Sequence, residues 1–153
     1  MTKSLNWSES FFDTFYKDLF MKRSEAEIFN AYRSLSQLCS SKKTVCDFCC
    51  GTGDILKEFQ NKGWAVQGID ISEEYTEAAK KERGLPAAQI ITADAKTHCF
   101  DTEFDLVYSW HSCLGYSTEE DDKGLIANMC KHVQKNGVLA IELYNLWAIS
   151  KNF

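Results

Sequence analysis

Val45-Cys46-Asp47-Phe48-Cys49-Cys50-Gly51-Thr52-Gly53 is the stretch on which the reading of this chain turns. Val45, Cys46 and Phe48 have the apolar character of a buried strand. Gly51 and Gly53 then let the backbone bend tightly and approach a ligand where a Cβ would obstruct it. A helix is expected from 53 to 62, stopping near Gly63, so the turn leads into a helix N-terminus, where free amides and the helix dipole favour a ligand carboxylate. The next apolar run, Trp64-Ala65-Val66-Gln67-Gly68-Ile69-Asp70-Ile71, ends on an acid. Asp70 follows Gly51 by 19 positions (70 − 51 = 19), close to the ~20-residue spacing at which an acid in a strand-turn-helix-strand unit accepts hydrogen bonds from ribose hydroxyls. An adenosine-containing ligand is the first expectation.

The rhythm of strand and helix continues to the end of the chain. Ser72 opens a helix from 72 to 83 with Glu73 and Glu74 in its first turn and Gly84 as its stop. Gln89-Ile90-Ile91-Thr92-Ala93-Asp94-Ala95 is a third strand running into an acidic turn. Phe104-Asp105-Leu106-Val107-Tyr108-Ser109 is a fourth, opening into Trp110-His111-Ser112-Cys113-Leu114-Gly115-Tyr116. Ser117 or Thr118 caps a helix from about 119 to 135, closed by Asn136-Gly137, with Leu125, Ile126, Met129, Cys130 and Val133 facing inward. Its acids Glu119, Glu120, Asp121 and Asp122 read as a solvated first turn. Val138-Leu139-Ala140-Ile141-Glu142-Leu143-Tyr144-Asn145 is the fifth strand, with Glu142 and Asn145 near its substrate end. Such alternation is the signature of an α/β fold, a doubly wound and mainly parallel sheet with helices on both faces. Upstream, residues 8 to 39 read as two helices. Ser8 or Ser10 caps the first, which carries Phe11, Phe12, Phe15, Tyr16, Leu19 and Phe20. Ser24 and Glu27 form a capping box for the second, whose stripe is Ile28, Tyr32, Leu35 and Leu38.

Composition narrows the partners. The 153 residues are one domain by length, with 44% hydrophobic and 13% aromatic residues to fill a core. A formal charge of −5 leaves no basic face for phosphate backbones, so nucleic acid is a poor partner and a small molecule a good one. Seven cysteines behind a polar N-terminus imply reduced thiols and a cytoplasmic location, and no apolar run reaches the ~20 residues of a membrane span. Cys46 and Cys49 have CxxC spacing, but no second pair completes four ligands and Cys46 sits inside the strand. They read as small apolar fillers, and no metal site is expected.

The dinucleotide fingerprint requires a third glycine three positions after Gly53, and Leu56 stands there, which argues against a nicotinamide cofactor and an oxidoreductase. An acid followed by a three-small-residue turn instead resembles the first motif of class I S-adenosylmethionine-dependent methyltransferases, with Cys49 where that motif usually has its first glycine. The resemblance implies a Rossmann-like sheet and S-adenosyl-L-methionine as cofactor, contacted by Asp47, Cys49, Gly51 and Gly53 at the turn. Asp70 and Ile71 would lie at the ribose, Asp94 and Ala95 at the adenine, and Trp110 against the adenine or near the sulfonium. Residues 1–40 would form a helical lid from which Phe15 or Tyr16 reaches the ligands, and 41–153 the cofactor-binding core. His111, the only histidine of the loop after strand four, is the candidate general base, and Tyr116 the second substrate-side candidate. The loop Ser112-Cys113-Leu114-Gly115-Tyr116, with its Gly-Tyr pair after the fourth strand, further resembles bacterial small-molecule methyltransferases.

The family continues into two more strands, so the resemblance also implies a chain shortened at its C-terminal side, with strand five as an edge for a second copy or a completing partner. Two readings follow. One is methyl transfer to an O, N or C nucleophile of a small molecule. The other is a shortened or degenerate domain that binds the cofactor, or acts through a partner, without turnover.

Overall fold

In the computed structural model, residues 14–39, 43–111 and 113–145 are described. Five strands, β1 (Thr44–Phe48), β2 (Ala65–Asp70), β3 (Ile90–Thr92), β4 (Phe104–Ser109) and β5 (Val133–Ile141), form a sheet in the order β3-β2-β1-β4-β5. Every neighbouring pair is parallel. Around them lie α1 (Thr14–Phe20), α2 (Glu25–Ser36), α3 (Asp54–Asn61), α4 (Glu73–Lys81) and α5 (Glu119–Lys131). This is the Rossmann-like arrangement expected from the alternation. The expected cap at Ser8 or Ser10, the residues Phe11 and Phe12, and the side chains of Phe15 and Phe20 lie outside the description.

Alternate strand residues feed two apolar layers, which is why β1 and β4 are apolar along most of their length. Val45, Val66, Leu106 and Tyr108 meet α2 through Ala31 and Leu35, α3 through Ile55, Leu56 and Phe59, and α4 through Ala79. Cys46, Phe48, Ile69 and Val107 meet Leu125 and Met129 of α5 on the opposite face. Phe59 is the hub of the larger layer, its ring 4.8 Å from Tyr32, 5.0 Å from Trp64 and 5.8 Å from Tyr108.

Leu56 is fully buried, and a Cβ placed on Gly68 would come within 2.6 Å of its Cδ1. The close approach of helix to strand that a helical glycine gives in dinucleotide-binding turns is achieved here from the strand side, by Gly68 of β2.

At the amino ends of the strands, Asp105 Oδ2 accepts from the backbone amides of Lys43 (2.8 Å) and Thr44 (3.0 Å) and fixes where β1 begins. Ser24 and Glu27 form the expected capping box of α2, while Leu38 of the expected stripe lies beyond the helix and is exposed. α5 starts from Thr118, whose hydroxyl accepts from the Asp121 amide. It ends earlier than the apolar spacing predicts. His132 caps it, its carbonyl already accepting from Phe104 N at 2.7 Å, and the strand begins at Val133, which pairs with Phe104. Asn136 (φ 65) and Gly137 are therefore not a helix cap but an irregularity inside β5, between the Phe104–Val133 and Leu106–Val138 pairings. Asparagine tolerates that left-handed geometry better than other side chains. β3 is also shorter than expected, because after Ala93, whose amide reaches Asp70 O at 3.0 Å, the chain turns on Asp94. No helix among the described residues is long and apolar enough to cross a membrane.

Candidate ligand cleft at the strand ends

The chain leaves β1 toward β2 and β3 but leaves β4 toward β5, so the loops after β1 and β4 diverge at the centre of the sheet. Ligands of open α/β sheets bind at this switch point, beyond the carboxyl ends of the strands. The loop after β1 is a left-handed turn at three positions: Cys49 (φ 66), Gly51 (φ 52) and Gly53 (φ 74). Cys49 thus takes a backbone form that glycine adopts freely and other residues adopt at a cost of about 1–2 kcal/mol. A Cβ on Gly51 would lie 2.6 Å from Met21 Cε, and one on Gly53 2.6 Å from Leu85 Cδ1 and 3.2 Å from Ala79 Cβ. The segment after α1 therefore lies directly on the turn, and α4 closes on it from behind.

Two buried carboxylates flank this turn. Asp70 Oδ2 accepts from Gly51 N at 2.8 Å and Oδ1 from Ser72 N at 2.9 Å, so the acid at the end of β2 holds the β1 turn in place. Burial raises its pKa, and the amides of Ser72, Gly51 and Ile71 oppose the rise. Asp47 sits opposite Tyr108 in the sheet, 4% exposed, and its Oδ1 has no hydrogen-bond partner. Burial pushes the Asp47 carboxyl well above its ordinary range, with the nearby Tyr108 hydroxyl pulling the other way. An orphaned buried carboxylate oxygen beside a glycine turn fits a ligand ammonium. Ile71, next in the chain, is 57% exposed and offers an apolar surface beside Asp70.

The helix N-terminus after the turn already faces a carboxylate of its own. Asp54 is buried, takes a hydrogen bond from Thr52 Oγ1 at 3.2 Å, and pairs with Arg83 and, at 3.7 Å, with Arg23. A ligand carboxylate here would meet Arg23 as well as free amides, a cation that spacing alone does not bring to the turn.

Asp94 turns the chain after β3. Its Oδ1 accepts from Lys96 N at 2.9 Å, and its own carbonyl from Thr97 and His98. Ala95 beneath it is buried, and Asn128 of α5, 3% exposed, donates to Ala95 O (2.8 Å) and His98 O (2.7 Å). Lys96 Nζ reaches Asp121 at 2.8 Å. Asp121 thus ties α5 to this loop, and Asp122 accepts from Gly115 N, so two of the four acids expected to be a solvated turn brace the cleft instead.

After β4, His111 adopts φ 67 with its amide donating to Glu142 Oε2 at 2.8 Å. Burial lowers its pKa, and the Arg23 charge lowers it further. A half-buried imidazole so placed is neutral at physiological pH and able to take a proton. Trp110 packs on the layer of α2 and α3, whereas Ala93 and Ala95 belong to the opposite layer. Tyr116 is half-buried, and burial, then the neighbouring Tyr16 and Tyr144, raise its pKa. Met21 carried no motif, because its approach to the turn depends on how the segment after α1 folds over the sheet. No cluster of metal-binding side chains occurs among the described residues.

A methyltransferase-domain family matches residues 45–137. The dTDP-3-amino-3,4,6-trideoxy-alpha-D-glucopyranose N,N-dimethyltransferase of Streptomyces venezuelae is 29% identical over 100 residues, which are 65% of this chain and 41% of that protein. The crystal structure of Streptomyces venezuelae DesVI superposes with a TM-score of 0.70 at 25% identity, over 84% of this chain and 56% of that one. SAM-bound CalS10, an amino pentose methyltransferase from Micromonospora echinaspora, gives 0.73 at 21% identity, over 87% and 57%. The chain spans about half the length of these relatives. Because the family match runs from the first strand of the sheet into the last, through every loop of the cleft, the chain belongs to the methyltransferase-domain family.

Proposed function

We propose that the protein binds S-adenosyl-L-methionine across the ends of β1, β2 and β3 and transfers its methyl group to an oxygen, nitrogen or carbon nucleophile of a small molecule. The observation that carries this reading is the Asp47 carboxylate, buried and with one oxygen unpartnered beside the Gly51 turn, in a chain of this family. Asp47 and the turn at Cys49, Gly51 and Gly53 would hold the amino-acid end. Arg23 would neutralise its carboxylate. Asp70 would use the remaining lone pairs of its oxygens for the ribose with Ile71 beneath, and Asp94 and the Ala95 amide would read the purine. When bound, the cofactor supplies an electrophilic methyl on a cationic sulfur, and an aromatic face such as Trp110 stabilises a cation by about 0.5–2 kcal/mol.

His111 takes the proton of a hydroxyl or ammonium nucleophile, and Tyr16 and Tyr116 line the substrate side. The segment before residue 41 acts as the lid, with Met21 against Gly51 supporting that role. The seven thiols are all free, which agrees with a cytoplasmic setting, and the β5 edge is where a second copy or another chain would join the sheet.

Relatives named for amino sugars make sugar amines the first substrates to try. Incubation with methyl-labelled cofactor and a panel of amino sugars and hydroxylated small molecules should give labelled product and S-adenosylhomocysteine. Cofactor binding with no turnover on any nucleophile would favour the binding-module reading instead.

A further inference from the structure

We propose that Cys49 and Cys113 are a redox-modification site, a dithiol at the mouth of the ligand cleft that a peroxide closes into a reversible disulfide, shutting the ligand out. Cys49 follows β1 and Cys113 lies in the loop after β4, and these strands are direct neighbours in the sheet. Both side chains are half-buried, and both pack against the same apolar layer. Ser109, the last residue of β4, places its Oγ 2.6 Å from Cys113 Sγ, and so anchors the Cys113 sulfur at the strand end that adjoins β1. Of the other five thiols, Cys39, Cys46 and Cys50 are buried, while Cys99 and Cys130 lie on exposed surface away from the turn.

The surroundings divide the labour between the two sulfurs. The nearby Cys49 thiol, the Ser109 hydroxyl and a backbone amide lower the Cys113 pKa, while Cys113 and burial raise that of Cys49. Cys113 is therefore the attacking thiolate and Cys49 the resolving thiol. The Cys113 thiolate displaces hydroxide from the peroxide O–O bond and becomes a sulfenic acid. Cys49 sulfur then attacks that sulfur, the S–O bond breaks, and water leaves. In balance, two thiols and one hydrogen peroxide give one disulfide and two waters, and a thiol reductant reverses it. A disulfide brings the two Cβ atoms to about 3.8 Å and would draw the β1 turn onto the β4 loop, across the space beside Asp47.

Only the effect on the ligand rests on the proposed function. The test treats the whole chain with hydrogen peroxide, alkylates it, and maps linked peptides by mass spectrometry, with S-adenosyl-L-methionine affinity measured before, after, and after reduction. Expected are a Cys49–Cys113 linked peptide, an affinity loss of about tenfold or more that dithiothreitol restores, and no peroxide-dependent loss in C113S. The proposal is overturned if Cys99 and Cys130 oxidise while no Cys49–Cys113 link forms, or if the linked protein binds as the reduced protein does. Should the reduced protein bind no S-adenosyl-L-methionine, the functional reading fails, and the peptide map alone decides whether the disulfide exists.

Discussion

Asp70 shows how one side chain can serve both fold and ligand. Its two oxygens fasten the amides of Gly51 and Ser72, so Asp70→Ala leaves two buried donors unpaired. It should cost about 2–4 kcal/mol in chemical denaturation as well as ligand affinity. Asp47 works in the opposite sense. Its pKa is raised above the ordinary 3.8 by burial, so the folded state favours the protonated acid, and stability present below pH 3.8 is lost as pH rises toward the folded value. Asp47→Asn should therefore raise the melting temperature at pH 7 more than at pH 4, while weakening binding of an ammonium-bearing ligand. Equal shifts at both pH values would contradict a strained carboxylate. His111 carries the third prediction. With its pKa lowered below 6.5, the acid limb of the methyl-transfer rate should lie below that value, and Arg23→Gln, which removes a lowering charge, should move the limb upward.

These residues differ in how readable they were. Asp47, Asp70 and Asp94 announce themselves by their place at or near the carboxyl ends of strands, because the chain's periodicity fixes roughly where strands end. Arg23, Asn128 and Cys113 do not, since each reaches the cleft from an element distant in sequence and no local pattern encodes that approach.

Among the elements, α5 does more than cover the sheet. Its capping box at Thr118, its Asp121–Lys96 pair and Asn128 all hold the Asp94 loop or the helix that supports it. Thr118→Ala should cost about 1 kcal/mol of stability. Asn128→Ala should loosen the turn around Ala95, seen as faster amide hydrogen exchange at Lys96 to His98, whereas Asp105→Ala at the opposite end of the sheet should destabilise without that local signature. The start of α5 was legible in Ser117-Thr118 and its acids. Its end was not, because Asn136-Gly137 is as good a helix stop as it is a bulge, and only the pairing of Val133 with Phe104 decides between them.

At the scale of the molecule, a sheet of five parallel strands, with α2, α3 and α4 on one face and α5 on the other, leaves its functional loops at the carboxyl ends of the strands. A parallel sheet with helices on both faces was implicit in the alternation of helix and strand, but the order β3-β2-β1-β4-β5 and the layering that puts Trp110 and Ala95 on opposite faces emerge only from packing. Phe59→Ala, at the hub of the larger layer, should cost about 3–5 kcal/mol in denaturant unfolding. The central claim is that the strand ends form a seat for S-adenosyl-L-methionine. Calorimetric titration of the folded chain with S-adenosyl-L-methionine and, in parallel, with NADH tests it most directly. Saturable binding of the first at one site, with no heat from the second, is the predicted result; binding of NADH alone would contradict it.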